Sequence, residues 1–160
     1  MQAKQSIRIL IAFSLLAALL ATVLAAAAQA HDPRERVRIT SRHGFQVTLK
    51  KLEAAAKKNK IGIVNRASAQ AGAKKIGVTI PGNQVWGLYH PRFAVRMLKA
   101  SIEAGYEAPI RLYITESKSG KVTVSYIKPS KVFAPYGNMD LDDMAKELDA
   151  IFSKVANSVR

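Results

Sequence analysis

Two stretches of alternating apolar and polar residues joined by a tight turn constrain this chain more than any other feature. Ile110, Leu112 and Ile114 alternate with Arg111, Tyr113 and Thr115; Ser117-Lys118-Ser119-Gly120 turns the chain; Val122, Val124 and Tyr126 then alternate with Thr123 and Ser125. A period of two places one set of side chains on one face of a strand, and so short a connection joins only antiparallel neighbours. The spacing predicts a half-buried β-hairpin, which excludes an all-helical fold and a wholly parallel sheet.

Helical periodicity on either side of the hairpin sets the class. Between residues 47 and 59, Leu49, Leu52, Ala55 and Ala56 share a face that Lys50, Lys51, Lys57 and Lys58 largely avoid. Pro91 opens another helix at the position where its missing N–H costs nothing, with Phe93, Met97, Leu98 and Ile102 expected on the apolar side and a stop near Gly105. The clearest stripe runs through Leu141, Met144, Ala145, Leu148, Ile151, Phe152 and Val155, predicting a last helix that Asp140 caps and that covers the hairpin. A weaker helix over 67–75 closes at Gly77, and strands are expected near 37–41, 61–64 and 85–89. The order β-α-β-α-β-α-β-β-α reads as an α+β fold of two layers, a mainly antiparallel sheet with helices packed on one face.

The first thirty residues read as an export signal. Lys4 and Arg8 precede an apolar run from Ile9 to Ala27, and Ala28-Gln29-Ala30 has the small-x-small form that signal peptidase cuts. The expectation is a periplasmic or secreted protein cleaved between Ala30 and His31. Residues 31–43 then form a charged tail and first strand, and 44–160 a single domain. An uncleaved anchor is the competing reading, since the run is just long enough to cross a bilayer; its alanine-rich end favours cleavage. The sequence has no cysteine, which excludes disulfides, thiol catalysis, thiolate metal sites and lipid attachment at a cysteine.

A formal net charge of +14 points to acidic partners. Outside the cytoplasm these are anionic lipid headgroups, acidic polysaccharide or small anions, while plain solubility is the simpler account of the same lysines. No RNA-binding motif of interleaved aromatics and glycines is present, and no nucleic-acid partner is expected. The chemistry offered by single residues is sparse. His31, His43 and His90 lack metal-binding spacing, and there is no phosphate loop or nucleophile elbow, so no catalytic residue is assigned. Ser125 reads as a structural strand residue and Glu116 as an exposed strand end.

The sharper binding expectation groups Arg66, Tyr89, His90, Arg92 and Arg96. Arg92 and Arg96 stand one turn apart where a helix begins, and helix N-terminal amides favour anions. Two guanidiniums there would suit a carboxylate or phosphate, with a solvated basic face as the alternative. Cleavage before His31 would also place an α-amine and an imidazole on one residue, a nitrogen pair suited to copper, with His43 or His90 needed as third ligand. No other cofactor is expected.

Several local runs resemble the domain-of-unknown-function 302 family: Val64-Asn65-Arg66-Ala67, Tyr89-His90-Pro91, Ala108-Pro109-Ile110-Arg111, and residues 120–126. The resemblance spans about Gly44 to Ala156, and Val132-Phe133-Ala134-Pro135-Tyr136 is similar to an exported subgroup. It implies a compact two-layer α/β domain, often a homodimer, without an established activity or cofactor. Many relatives carry Asp-His where this chain has Asn65-Arg66, and Asn-Pro where it has His90-Pro91, so any chemistry of that Asp-His pair would be lost here. The expected function is an exported binding or interaction module for small anions or an acidic envelope surface. A periplasmic hydrolase or other enzyme, and a weak copper binder through His31, are the alternatives, a buried His-Glu pair being the first sign of the enzyme.

Overall fold

The chain runs β1 (Val37–Thr40), α1 (Phe45–Lys58), β2 (Gly62–Ser68), α2 (Ala69–Lys75), β3 (Asn83–Tyr89), α3 (Pro91–Ala100), β4 (Ile110–Glu116), β5 (Val122–Tyr126), α4 (Pro129–Phe133) and α5 (Met139–Asn157), with 3₁₀ turns at Glu103–Glu107 and Ala134–Tyr136. These coordinates are a computed structural model that describes residues 35–160; the expected signal segment lies outside them. The order of strands and long helices is the expected one, with α4 added. All neighbouring strands are antiparallel, in the order β1-β5-β4-β3-β2. The hairpin thus supplies the central strand, β4, and its neighbour β5.

Strand register explains the core. Leu112 stands opposite Trp86, Ile110 opposite Leu88, and Val124 opposite both Ile114 and Ile39, so these apolar side chains share one face of the sheet. All are buried, together with Val122 and Tyr126. Leu141, Met144, Ala145, Leu148, Phe152 and Val155 of α5 are buried too, as the stripe predicts. Phe152 meets Tyr126 with ring centroids 5.5 Å apart. From α1 come Phe45, Leu49, Leu52, Ala55 and Ala56. Each large side chain fully withdrawn from water contributes roughly 1.5–3 kcal/mol, which makes this layer the main source of stability. On the opposite face Arg38, Thr40 and Arg111 are exposed and Tyr113, Thr115 and Thr123 half-buried, whereas Ser125 is buried among its neighbouring strands.

Four local expectations need correction. Asn138, not Asp140, caps α5: its Oδ1 accepts the N–H groups of Asp140 (2.9 Å) and Leu141 (3.2 Å), so the helix begins two residues earlier than Leu141. Asp140 instead sits in the first turn, where a negative charge suits the helix dipole. α3 stops at Ala100, the N–H of Ser101 bonding back to Met97, and leaves Leu98 and Ile102 48% and 77% exposed. Its buried side is Phe93, Ala94 and Met97. β2 extends to Ser68, because Asn65, Arg66 and Ala67 pair with Gly87, Trp86 and Val85 after a bulge at Ile63/Asn65. The helix expected over 67–75 accordingly starts at Ala69, with Ser68 Oγ accepting the N–H of Ala71.

Two close approaches tie elements together. Asn65 and Pro109 close over Gly87, where an added Cβ would collide with both. At the far end of β1, the carbonyl of Val159 accepts the N–H of Arg42 (3.0 Å) and the hydroxyl of Ser41 (3.3 Å), fastening the end of the chain to the first strand.

Candidate functional site

β3 delivers Tyr89 and His90 to the start of α3. His90 is the N-cap: its Nδ1 accepts the N–H of Arg92 at 3.0 Å, and its ring meets Phe93 edge-on. Pro91 has no N–H, and those of Phe93 and Ala94 go to the His90 carbonyl. The amides that would receive an anion are therefore already satisfied by the cap residue.

Arg92 and Arg96 do converge, but on a carboxylate of the protein itself. Arg96 Nη1 lies 2.7 Å from Glu147 Oε1 on α5, and Arg92 Nη2 lies 3.7 Å from Oε2. Both guanidiniums also stand against the Phe93 ring, at 4.9 and 5.9 Å from its centroid. Two cations around one carboxylate leave a residual positive charge at an exposed position, where such pairs are worth about 0–1 kcal/mol.

Arg66 is held elsewhere. It pairs with Glu53 of α1 at 2.7 Å and lies over the ring of Trp86, its cross-strand partner, at 4.7 Å. None of these contacts is shared with Arg92 or Arg96. The structure thus gathers Tyr89, His90, Arg92 and Arg96 around the start of α3 and gives Arg66 a different task, roofing a buried indole. Arg66→Ala should cost about 1 kcal/mol, read from urea unfolding, since an exposed ion pair and an exposed cation–π contact are each that small. A loss above about 3 kcal/mol would mean the side chain does more than cover the ring.

No ligand-sized space opens beneath these residues. Tyr89 and His90 border a gap of about 30 Å³ with Phe93, Phe133, Met144 and Leu148, room for water and not for an organic molecule. Glu116 is half-buried and clasps the chain: its Oε2 accepts the N–H of Gly82 at 3.0 Å while its own N–H bonds to the Gly82 carbonyl at 2.7 Å. His90 is committed to its cap, its Nδ1 taken by the Arg92 N–H and its ring set against Phe93 rather than a carboxylate. His31 lies outside the described residues. Among the described residues, no three His, Asp or Glu side chains are grouped to hold a metal.

Two features escaped the residue-by-residue reading. One is the distribution of charge: between Arg36 and Ser101 the sequence has a single acidic residue, Glu53, and Arg66 takes it. On α1, Val47, Lys50, Lys51, Ala54, Lys57 and Lys58 are exposed and follow one another at helical spacing along one side. The four lysines have no ion-pair partner among the described residues. Tabulating acids along the sequence would have revealed this. The other is a groove of about 380 Å³ between β1, the end of β5 and α5, assembled from residues too far apart in sequence to be grouped by pattern.

The model of the family described as Domain of unknown function DUF302 matches residues 37–159, from the first described strand to two residues past α5. The chain belongs to the DUF302 family. A crystal structure of an uncharacterized conserved DUF302 protein from Bacillus stearothermophilus superposes with a TM-score of 0.70 at 17% sequence identity, covering 78% of this chain and 98% of that one. That likeness establishes a shared DUF302 fold. Fluoride-specific ion channel FluC 1 of Brucella suis biovar 1 is 28% identical over 94 residues, which are 59% of this chain and 37% of the channel. FluC 1 of Brucella abortus biovar 1 is also 28% identical over 94 residues, 35% of its length. The shared stretch is thus about a third of the channels. Among the described residues of this DUF302 chain, no helix is long and apolar enough to cross a membrane.

Proposed function

We propose that this protein is an exported binding module that docks through α1 on an anionic envelope surface, with anionic lipid headgroups as the partner. The observation that carries this reading is the exposed α1 stripe: Lys50, Lys51, Lys57 and Lys58 with Val47 beside them, and the helix's one acid, Glu53, neutralised by Arg66. Lysines at a negative leaflet contribute about 1 kcal/mol each, falling off within a Debye length, and the lysine stems leave apolar surface free to lie against the interface. Arg92 and Arg96, already bridged by Glu147, would take a small anion only in exchange for that carboxylate.

Vesicle co-sedimentation tests the reading. Binding is expected to phosphatidylglycerol-containing vesicles and not to pure phosphatidylcholine, and it should fade as salt is raised. Lys57→Ala with Lys58→Ala should weaken it roughly 10–30-fold, from about 1 kcal/mol per lysine. Lys118→Ala with Lys121→Ala, at the hairpin turn, should leave it unchanged. Equal loss in the two double variants would reduce the effect to diffuse charge and sink the proposal.

A further inference from the structure

The groove beside β1 has the size and lining of a small-molecule site, and the α1 face takes no part in it. Ligand sites typically measure about 300–1,000 Å³, so the groove qualifies at about 380 Å³ where the gap under Tyr89 does not. Its floor is apolar: Val37 and Ile39 of β1, with Tyr126 opposite Val37 on β5. Ala150, Ser153 and Asn157 of α5 form the wall. Lys128 stands at the end where β1 begins, since it follows Tyr126. Arg160 stands at the other end, where Val159 is fastened to Ser41 and Arg42.

Two cations outnumber one carboxylate inside it. Asp149 is the single acidic side chain lining the groove, and both its oxygens are engaged by Ser130: Oδ1 accepts the N–H at 2.9 Å and Oδ2 the hydroxyl at 2.6 Å. Lys128 and the Arg160 guanidinium have no ion-pair partner among the described residues. Ser153 Oγ accepts from Asn157 Nδ2 at 3.2 Å, which leaves its own proton to donate. Burial, and behind it the Asp149 carboxylate, push the Tyr126 hydroxyl upward in pKa, so it too keeps its proton.

We infer that this groove binds a short aliphatic dicarboxylate, one carboxylate at Lys128, the other at Arg160, and the methylene chain lying on Val37 and Ile39. The span suits such a molecule. The four steps from Val37 to Ser41 advance about 13 Å at strand rise, which an eight-carbon diacid and two flexible cationic side chains bridge together. A neutral ligand would leave both cations unanswered, and a diamine would meet them head-on.

Calorimetric titration of the full-length protein with suberate, octanoate and 1,8-diaminooctane tests the inference. Suberate should bind saturably, octanoate about tenfold more weakly for want of the second charged contact, and the diamine not at all. Lys128→Ala and Arg160→Ala should each weaken suberate by about tenfold or more, while both variants melt at the wild-type temperature, as exposed positions should allow. Lys57→Ala with Lys58→Ala should leave suberate binding intact, and Lys128→Ala should leave vesicle binding intact, so this site and the α1 face stand or fall separately. Failure of suberate to bind, suberate binding unchanged in both single variants, or equal binding of suberate and the diamine would overturn it.

Discussion

Replacing Phe152 with alanine is expected to destabilise the domain by about 3–5 kcal/mol, measured by urea unfolding. Phe152 is 1% exposed, lies in the middle of the α5 stripe, and presses its ring on Tyr126 of β5. It is therefore a direct joint between the helix layer and the hairpin. Truncation removes the ring's own burial and leaves a hole walled by sheet residues, which cannot collapse into it without breaking register. Against a total stability of about 5–15 kcal/mol, such a loss leaves a marginal fold. Leu148→Ala should fall in the lower part of the 2–5 kcal/mol range for such truncations, about 2–3 kcal/mol, because the adjoining gap already gives that site slack. Losses below roughly 0.5 kcal/mol at both positions would show that α5 is peripheral.

Trp86→Ala should cost a similar amount, about 3–5 kcal/mol. The indole is 1% exposed, its Nε1 donates to Gln84 Oε1 at 2.7 Å, and its ring is the seat on which Arg66 reaches Glu53. Removing it also unseats the pair that links β2 to α1. A double-mutant cycle separates these parts: Arg66→Ala should cost less in the Trp86→Ala background than in the wild type, by about 0.5–1 kcal/mol. Because Trp86 is the chain's one tryptophan, unfolding must then be followed by circular dichroism. Strict additivity would mean that Arg66 and Trp86 touch without interacting.

The elements that could be read in the sequence are those in which local pattern and burial agree. The hairpin alternates because one face of β4 and β5 lies under helices, and α5 shows its stripe because it is long and covers much of that face. Short or edge elements broke the rule. β2 is an edge strand exposed along most of its length, so Asn65 and Arg66 carry no alternation that extends the expected strand past Val64, and Ala67 reads as the start of the next helix. Leu98 and Ile102 fit the period of α3, but the chain turns away at Ser101 before either is covered. Asn138 and Asp140 are equally good capping types two residues apart, so residue type alone does not choose between them.

The candidate site was less legible for a different reason. Arg92 and Arg96 stand one turn apart by their spacing, while the group that answers them, Glu147, is 51 residues from Arg96 and is brought there by the packing of α3 on α5. Arg66 has the same charge and a wholly different contact. The groove draws on β1, β5 and α5 together, which no window along the chain contains.

The enclosure of Gly87 constrains how this sequence can change over time. Any side chain at 87 meets the rigid ring of Pro109 as well as the more adaptable amide of Asn65. Rotation of Asn65 would relieve only half of the collision. A larger residue at 87 can therefore enter only after Pro109 has been replaced, so the order of substitutions matters at this spot. Descendants that keep Pro109 should keep Gly87, whatever becomes of position 65.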